Sequence, residues 1–306
     1  MPKRLSLALC LFALTFSTKS FAAELKNVHM GSFSKAVDYA PYLVAKRKGL
    51  FEQALKPLGA TAAYDEFQSL PTINEAFATK RLDAVVEAEA PCIVGRAAGI
   101  DLKILGVSAL VDVPVVVNTK SGINSIAALK GKKVAVLAGT SAHYILCKLL
   151  EGAGLGKNDI HIVDMTPPDA KAAFETNKID AWAIWSPFVE QEELSGQGKA
   201  LQGASGLVDV VMVARSEFVK DNPKIAKALT DTLNSTRSWV AAHPKESQRI
   251  VAEELKLPLP VVEKAWARQD WKSGIDDKLR NDIQKKADFL KSAGLVRKPV
   301  DAKGLF

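Results

Sequence analysis

The chain has 306 residues, 48% of them hydrophobic and 25% charged, the proportions of a globular protein long enough for two domains with buried cores. Its formal net charge of +7 is spread along the sequence, and without Lys3, Arg4 and Lys19 of the N-terminus +7 falls to +4. That excludes the concentrated basic stripe on which nucleic-acid binding depends, and no stretch after residue 22 is long and apolar enough to span a bilayer.

Lys3-Arg4, the apolar run Leu5 to Phe16 and the small-x-small site Ser20-Phe21-Ala22 read as a cleavable secretory signal over residues 1–22, cut after Ala22. Cys10 follows Leu9, where a lipoprotein signal needs a small residue, so no lipid anchor is expected. Beyond it, Leu25 to Met30 predicts a strand and Gly31-Ser32-Phe33-Ser34 a turn, before a helix from about Tyr39 with Pro41 in its first turn and Gly49 as its stop. Ala62 to Phe67 is strand-like, and Gln68-Ser69-Leu70-Pro71 opens a helix to about Lys80. A strand from Ala84 to Glu89 leads to a helix opened by Ala90-Pro91 and ended by Gly99; Leu102 to Leu110 is a fourth strand. The alternation of short strands and helices predicts an α/β domain with a mainly parallel sheet.

The extended segment Val111 to Val117 then leads, through Ile126 to Lys130, into the stretch from Lys132 to Gly154. Lys132 to Ala138 reads as a buried strand, Gly139-Thr140-Ser141 as a break, and Ile145, Leu146, Leu149 and Leu150 recur at helical spacing until Gly152 and Gly154. A strand, a turn of small hydroxyl residues and a helix N-terminus can receive an anion, because the first amides of a helix have no internal partner and carry the positive end of its dipole. The same residues also suit an ordinary turn with Thr140 or Ser141 as N-cap. Ile160 to Val163 (strand), Pro167 to Asn177 (helix), Ala181 to Trp185 (strand) and a helix after Ser186-Pro187 follow. A second extended run, Val208 to Ala214, precedes a helical end: Pro223 to His243, Lys245 to Leu255, Pro260 to Trp266 and Asp276 to Ala293.

Several of these turns share one grammar: Gly31-Ser32-Phe33, Gln68-Ser69, Glu89-Ala90-Pro91, Gly139-Thr140-Ser141 and Trp185-Ser186-Pro187. Converging at the carboxyl ends of parallel strands, they would give a pocket of helix dipoles, hydroxyls and aromatic walls, suited to a small oxyanion with an organic tail.

The segments Leu129-Lys130-Gly131-Lys132-Lys133-Val134-Ala135-Val136, Gly139-Thr140-Ser141-Ala142-His143-Tyr144, Ala153-Gly154-Leu155, Asp180 to Phe188 and Val213-Ala214-Arg215-Ser216-Glu217-Phe218 give the chain a likeness covering nearly all of it after the signal. It resembles the periplasmic binding proteins of ATP-binding-cassette importers for aliphatic sulfonates and taurine, a group that also takes nitrate and related small molecules. The resemblance implies a two-lobed type II periplasmic-binding-protein fold with two hinge crossings. One lobe would be residues 23–112 plus 213–306, the other residues 113–212. It further implies an oxyanion held among Ser32, Ser69, Thr140, Ser141 and adjacent amides near Phe33, Ala142 and His143, with Trp185 along the organic side. A monomer is implied, without cofactor or metal, that takes a small organic anion or zwitterion and meets an ABC transporter permease in the inner membrane.

One departure concerns Val86-Glu87-Ala88-Glu89-Ala90-Pro91, where two acids stand at alternating positions and would point to one side of a strand. Glu89 could meet a cationic end of the ligand, as in an aminosulfonate, or be bridged to Arg96 or to a Lys at the cleft rim; Asp209 is a second candidate for that role. Ser141 and His143, two apart at a helix start, do not face each other and no Gly-x-Ser-x-Gly elbow is present, so no catalytic pair is expected. His29, His161 and His243 are isolated and match no metal-site spacing. Trp239, Trp266 and Trp271 are read as packing, with Trp271 and Asp270 able alternatively to reach the cleft rim, and Lys46-Arg47-Lys48 and Lys285-Lys286 as solvated helix faces. Enzymes that make the thiamin pyrimidine are similar in fold but depend on a cysteine-rich motif absent here. A membrane-anchored sensor would need an anchor or output domain, and neither is expected.

Overall fold

In a computed structural model of the chain, which describes residues 25–33, 35–271 and 274–306, strands and helices alternate in the order β1 (Lys26–Phe33), α1 (Ala40–Arg47), α2 (Leu50–Leu55), β2 (Ala60–Phe67), α3 (Leu70–Ala78), β3 (Ala84–Ala88), α4 (Glu89–Ala97), β4 (Leu102–Asn118), β5 (Lys133–Val136) and α5 (Ser141–Gly152). The chain continues through β6 (His161–Asp164), α6 (Pro167–Glu175), β7 (Ala181–Ala183), α7 (Phe188–Leu194), β8 (Gly198–Arg215), α8 (Ser216–Asp221), α9 (Pro223–Ala242), α10 (Pro244–Leu255), α11 (Leu259–Trp266), β9 (Gln269–Asp270) and α12 (Asp277–Ser292). The expected signal over residues 1–22 and Ser34 of the first turn lie outside the described residues. Among the described residues no helix is long and apolar enough to cross a membrane.

The sheet runs β2-β1-β3-β8-β4-β7-β5-β6, with β9 beside β4. β1 is parallel to both β2 and β3, and β5 is parallel to both β6 and β7. Between these two parallel groups lie β4 and β8, antiparallel to each other from Leu102↔Arg215 to Asn118↔Gly198. The C-terminal stretch of each serves a different group: β8 pairs β3 through Val210–Ala214, while β4 pairs β7 through Val115–Val117. Where the ribbon passes from one group to the other its register jumps, between Pro114↔Ser205 and Val116↔Ala200. Pro114 has no N–H to donate, and the extra residues of β8 loop out there.

Side-chain alternation along the central strands explains why both faces are covered by helices. Val210, Met212 and Ala214 turn to one core with Val28, Met30 and the inner faces of α1 and α9, whereas Val211 and Val213 turn to another with Val85, Ile93 of α4 and Leu279, Ile283, Ala287 and Leu290 of α12. The second group repeats the device: Val134, Val136 and α5 lie on one face, Ala135, Trp182 and Phe174 of α6 on the other. Burying each such Val or Leu contributes about 1.5–3 kcal/mol. Gly206 sits where β8 passes α5; a Cβ there would meet Ile145 at 2.9 Å. Cys92 and Cys147, left open by the sequence, are both free thiols.

Four departures from the sequence-based expectations have physical causes. Gly31, Ser32 and Phe33 are strand rather than turn, because β1 is held on both sides, Ser32 pairing with Glu66 and with Val86. Glu89 opens α4 rather than ending β3, so Glu87 and Glu89 do not share one side of a strand. The extended runs at Val111 and Val208 belong to strands of 17 and 18 residues, whose polar and glycine-containing ends carry no alternating pattern. Leu50–Leu55, at 6 residues, forms a helix too short for a periodic signal.

Candidate functional site

The Gly139-Thr140-Ser141 turn folds as its composition requires. Gly139 takes a positive φ of 78°, which a residue without a Cβ adopts readily. Thr140 is the N-cap of α5: its Oγ1 accepts from the His143 amide at 3.4 Å and donates to the Leu137 carbonyl at 2.7 Å. The Thr140 hydroxyl is therefore committed within the turn. Ser141 is not so committed: its Oγ is buried and has no hydrogen-bond partner among the described residues. Ser141 and Ala142 form the first turn of α5, where backbone amides have no intrahelical acceptor.

These residues open onto a cavity of about 30 Å³. Thr140, Ser141, Ala142 and Trp185 line it from one side, Phe33, Asp38, Tyr39, Ala88 and Pro91 from the other, with Val113 and Val208 of the β4–β8 ribbon at its base. Phe33 and Trp185 pack with ring centroids 6.3 Å apart and planes at 48°, a tilted aromatic pair that closes the space like a wall. A cavity of this size holds about one or two waters, so a larger ligand enters only when the walls part.

Of the residues expected at the site, Phe33, Thr140, Ser141, Ala142 and Trp185 are brought together here; Ser32, Ser69, Glu89, His143 and Asp209 do not line the cavity. Ser32 alternates with Phe33 to the opposite face of β1, where it borders a different cleft with Lys46, Asp65 and Glu254. Ser69, before α3, directs its Oγ to Thr72 Oγ1 at 3.1 Å. His143 is buried with Nδ1 accepting from the Gly139 amide at 3.4 Å, and burial holds its pKa below the ordinary value.

Glu89 and Asp209 face a cation from within the chain. Lys286 Nζ, on α12, lies 2.7 Å from Glu89 Oε1 and 3.3 Å from Asp209 Oδ2. Burial opposes the ammonium, yet the two carboxylates hold its pKa above the usual lysine range. Burial also pushes Glu89 upward, against the pull of Lys286. The expectation of a solvated Lys285-Lys286 face holds for Lys285 only: its side chain is 75% exposed and that of Lys286 8%, because successive helical residues point about 100° apart. A second cation-centred cluster stands beside the ribbon. Arg268, after α11, donates to Glu190 Oε1 at 2.9 Å and Glu193 Oε1 at 3.1 Å, both on α7, and its carbonyl accepts from the Asp112 amide at 3.0 Å.

Asp38 and Tyr39 are cavity residues that the sequence reading did not single out. They lie in a single 3-10 turn, Val37–Tyr39, between β1 and α1, where one acid in an apolar run before Pro41 offers no periodic signal. The available clue is the acid itself, since an unpaired carboxylate in such a run is rarely buried without a reason. Among the described residues no group of three or more His, Cys, Asp or Glu side chains could hold a metal ion.

The profile of the NMT1-like family matches residues 22–256. A Bacillus subtilis protein named for aliphatic sulfonate binding is 32% identical over 287 residues, covering 92% of this chain and 85% of its own. The taurine-binding periplasmic protein of Escherichia coli is 26% identical over 232 residues, 74% of this chain and 70% of its own. The crystal structure of the alkanesulfonate-binding protein of Xanthomonas axonopodis pv. citri bound to MOPS superposes with a TM-score of 0.81 at 26% identity, over 93% of this chain and 99% of the other. The two parallel groups of strands, the crossing ribbon and the cavity between them are thus the two-lobed fold of periplasmic binding proteins, and the chain belongs to the NMT1-like family.

Proposed function

We propose that this protein is a periplasmic solute-binding protein that captures a small organic sulfonate between its lobes and delivers it to an ABC importer. The observation that carries the reading is the buried, unpartnered Ser141 hydroxyl at the N-terminus of α5, in one pocket with the Phe33–Trp185 aromatic pair. Helix-terminal amides and a hydroxyl suit the oxygens of a sulfonate, and Phe33 with Trp185 suits its carbon chain. The names of the relatives support the same ligand class.

In this reading Thr140, Ser141 and Ala142 hold the anion and His143 braces their turn through Gly139, while Ser32, Ser69, Glu89 and Asp209 lie outside the pocket. The lobes, residues 23–112 with 213–306 and residues 113–212, turn about β4 and β8 near Pro114, and closure buries the ligand. The chain acts as a monomeric carrier, exported by the signal over residues 1–22, that docks on a permease in the inner membrane; it carries out no reaction. His143 turns its ring to Gly139 rather than to Ser141, which leaves the serine without a base.

The test is a thermal-shift and calorimetric screen of the protein from Ala23 with taurine, ethanesulfonate, an arylsulfonate, nitrate, sulfate and a pyrimidine. A sulfonate at one hundred times its dissociation constant is expected to stabilise the fold by about 2.7 kcal/mol. A response to nitrate or the pyrimidine alone would replace the sulfonate while keeping the carrier.

A further inference from the structure

The pocket holds one buried polar group more than an anion needs. Asp38 is 6% exposed and lines the cavity, and its Oδ1 is buried without a hydrogen-bond partner among the described residues. Its backbone is fixed, because Ser108 Oγ of β4 donates to the Asp38 carbonyl at 3.1 Å. The side chain is therefore held at the pocket wall and cannot leave it by a small turn of the backbone. An unpaired carboxyl oxygen out of water is costly, and here it stands opposite a second unpartnered group, Ser141 Oγ.

Among the described residues Asp38 has no ion pair, and the cations of the two clusters are committed to other acids. Lys286 is engaged by Glu89 and Asp209, and Arg268 by Glu190 and Glu193. Of the groups acting on Asp38, a hydrogen bond from its own backbone favours its charge, while Glu190 of α7 opposes it; Tyr39 stands beside it on the same turn, with Glu87 of β3 acting on Tyr39. From α11, Lys264 turns instead to Glu193 at 3.2 Å. From α1, Tyr42 packs on Phe51 and Tyr64. A simple anion entering this pocket would set a second negative charge near Asp38. A zwitterion would set its anion on the α5 terminus and its cation on the carboxylate.

We propose that Asp38 is the specificity-determining residue for the end of the ligand remote from the sulfonate, receiving an ammonium, so that the pocket selects short aminosulfonates over simple alkanesulfonates. This rests on the sulfonate reading above. Phe33 and Trp185 flank the carbons between the two charged ends, and their ring faces also favour a nearby cation.

The assignment has a pH signature. Burial pushes Asp38 up to about 7, against a hydrogen bond from its own backbone and with a smaller push from the charge of Glu190. Below that value an arriving ammonium must displace the carboxyl proton. Affinity for an aminosulfonate then rises with pH by up to about tenfold per unit and levels off above about 7. An alkanesulfonate displaces no proton, and its affinity stays level or falls as Asp38 ionises.

The experiment is calorimetric titration of the protein from Ala23 with taurine and ethanesulfonate, at intervals from pH 5.5 to 8.5, for the wild type and for Asp38→Asn. Expected are a wild-type preference for taurine that grows with pH and, in Asp38→Asn, a loss of about 10–100-fold in taurine affinity with the slope abolished and ethanesulfonate unchanged or tighter. The two wild-type pH profiles need no variant, so a poorly folding Asp38→Asn leaves the test intact. Parallel profiles for the two ligands, or an equal change in both on substitution, overturn the role of Asp38. Binding of neither sulfonate, alongside binding of nitrate or a pyrimidine, overturns the sulfonate reading and this inference with it.

Discussion

Lys286 and Arg268 each gather acids, but in different settings. Lys286 is sealed: its side chain is 8% exposed, and those of Glu89 and Asp209 are 0% and 9%. Arg268 is one-fifth exposed, and it joins the segment after α11 to Glu190 and Glu193 of α7, whose side chains are 0% and 15% exposed. Lys286 thus fastens α12 to the start of α4 and the ribbon, whereas Arg268 reaches across the division at which the lobes are proposed to part. A buried charge pair is weak grounds for stability when compared with an apolar replacement, but removal of one partner strands the other. The Lys286 cluster is therefore a structural joint, and the Arg268 cluster, whose cation is accessible, a contact that can be made and broken.

The strongest way to break this contrast is Lys286→Met. It leaves two buried carboxylates without their cation, and unfolding in urea is expected to show a loss of about 3–5 kcal/mol. The triple change Glu89→Gln, Asp209→Asn and Lys286→Met should recover most of it, because the loss comes from stranded charge.

Glu87 sharpens the contrast as a buried acid with no ion pair among the described residues. It is 2% exposed, and burial raises its pKa from 4.5 to about 8. The folded state then binds more protons than the unfolded state between these values, so stability falls as pH rises through this window. A tenfold difference in proton affinity between the two states corresponds to about 1.4 kcal/mol. Glu87→Gln is expected to flatten the decline of the unliganded protein, measured as midpoint temperature from pH 4.5 to 8; a steeper decline would contradict the assignment. Asp38 contributes to the same slope up to about pH 7.

Arg268→Ala should cost less in stability than Lys286→Met, about 1–3 kcal/mol, since Glu193 keeps Lys264 at 3.2 Å and the buried Glu190 keeps the Ser186 hydroxyl at 3.0 Å. Its distinguishing effect is on shape: a larger radius of gyration for the unliganded protein in small-angle scattering, reversed by ligand, which Lys286→Met should not produce. The smallest effect belongs to a surface pair. Lys80→Ala removes an exposed contact with Glu217 at 2.7 Å and should leave the midpoint temperature unchanged, because exposed pairs are screened by solvent and salt.

The two walls of the pocket differ in how far the sequence announces them. The α5 wall is legible because its signals are local: a glycine for the turn, hydroxyls for the cap, and apolar residues at helical spacing. The alternation of strands and helices is legible for the same reason, and the likeness to binding proteins follows from those segments. The opposite wall depends on partners far apart in the chain. Whether Asp38 is buried is decided by β4, which carries Ser108. Whether Glu89 can meet a ligand is decided by Lys286 on α12. Neither dependence leaves a periodic mark near the residue it governs, and Lys286 carries a misleading one in its exposed neighbour.

The β4–β8 ribbon has a further consequence, for the order of folding. Its registers join residues as remote as Leu102 and Arg215, while β5, β6 and β7 pair over shorter intervals within the intervening chain. Closing long loops costs entropy before the contacts repay it, so pairings of high sequence separation form slowly. The inner group of strands, with α5 and its anion-receiving turn, can assemble while the ribbon is still open. On that order the two walls of the pocket would meet only as the ribbon zips, which makes ligand recognition a late property of folding.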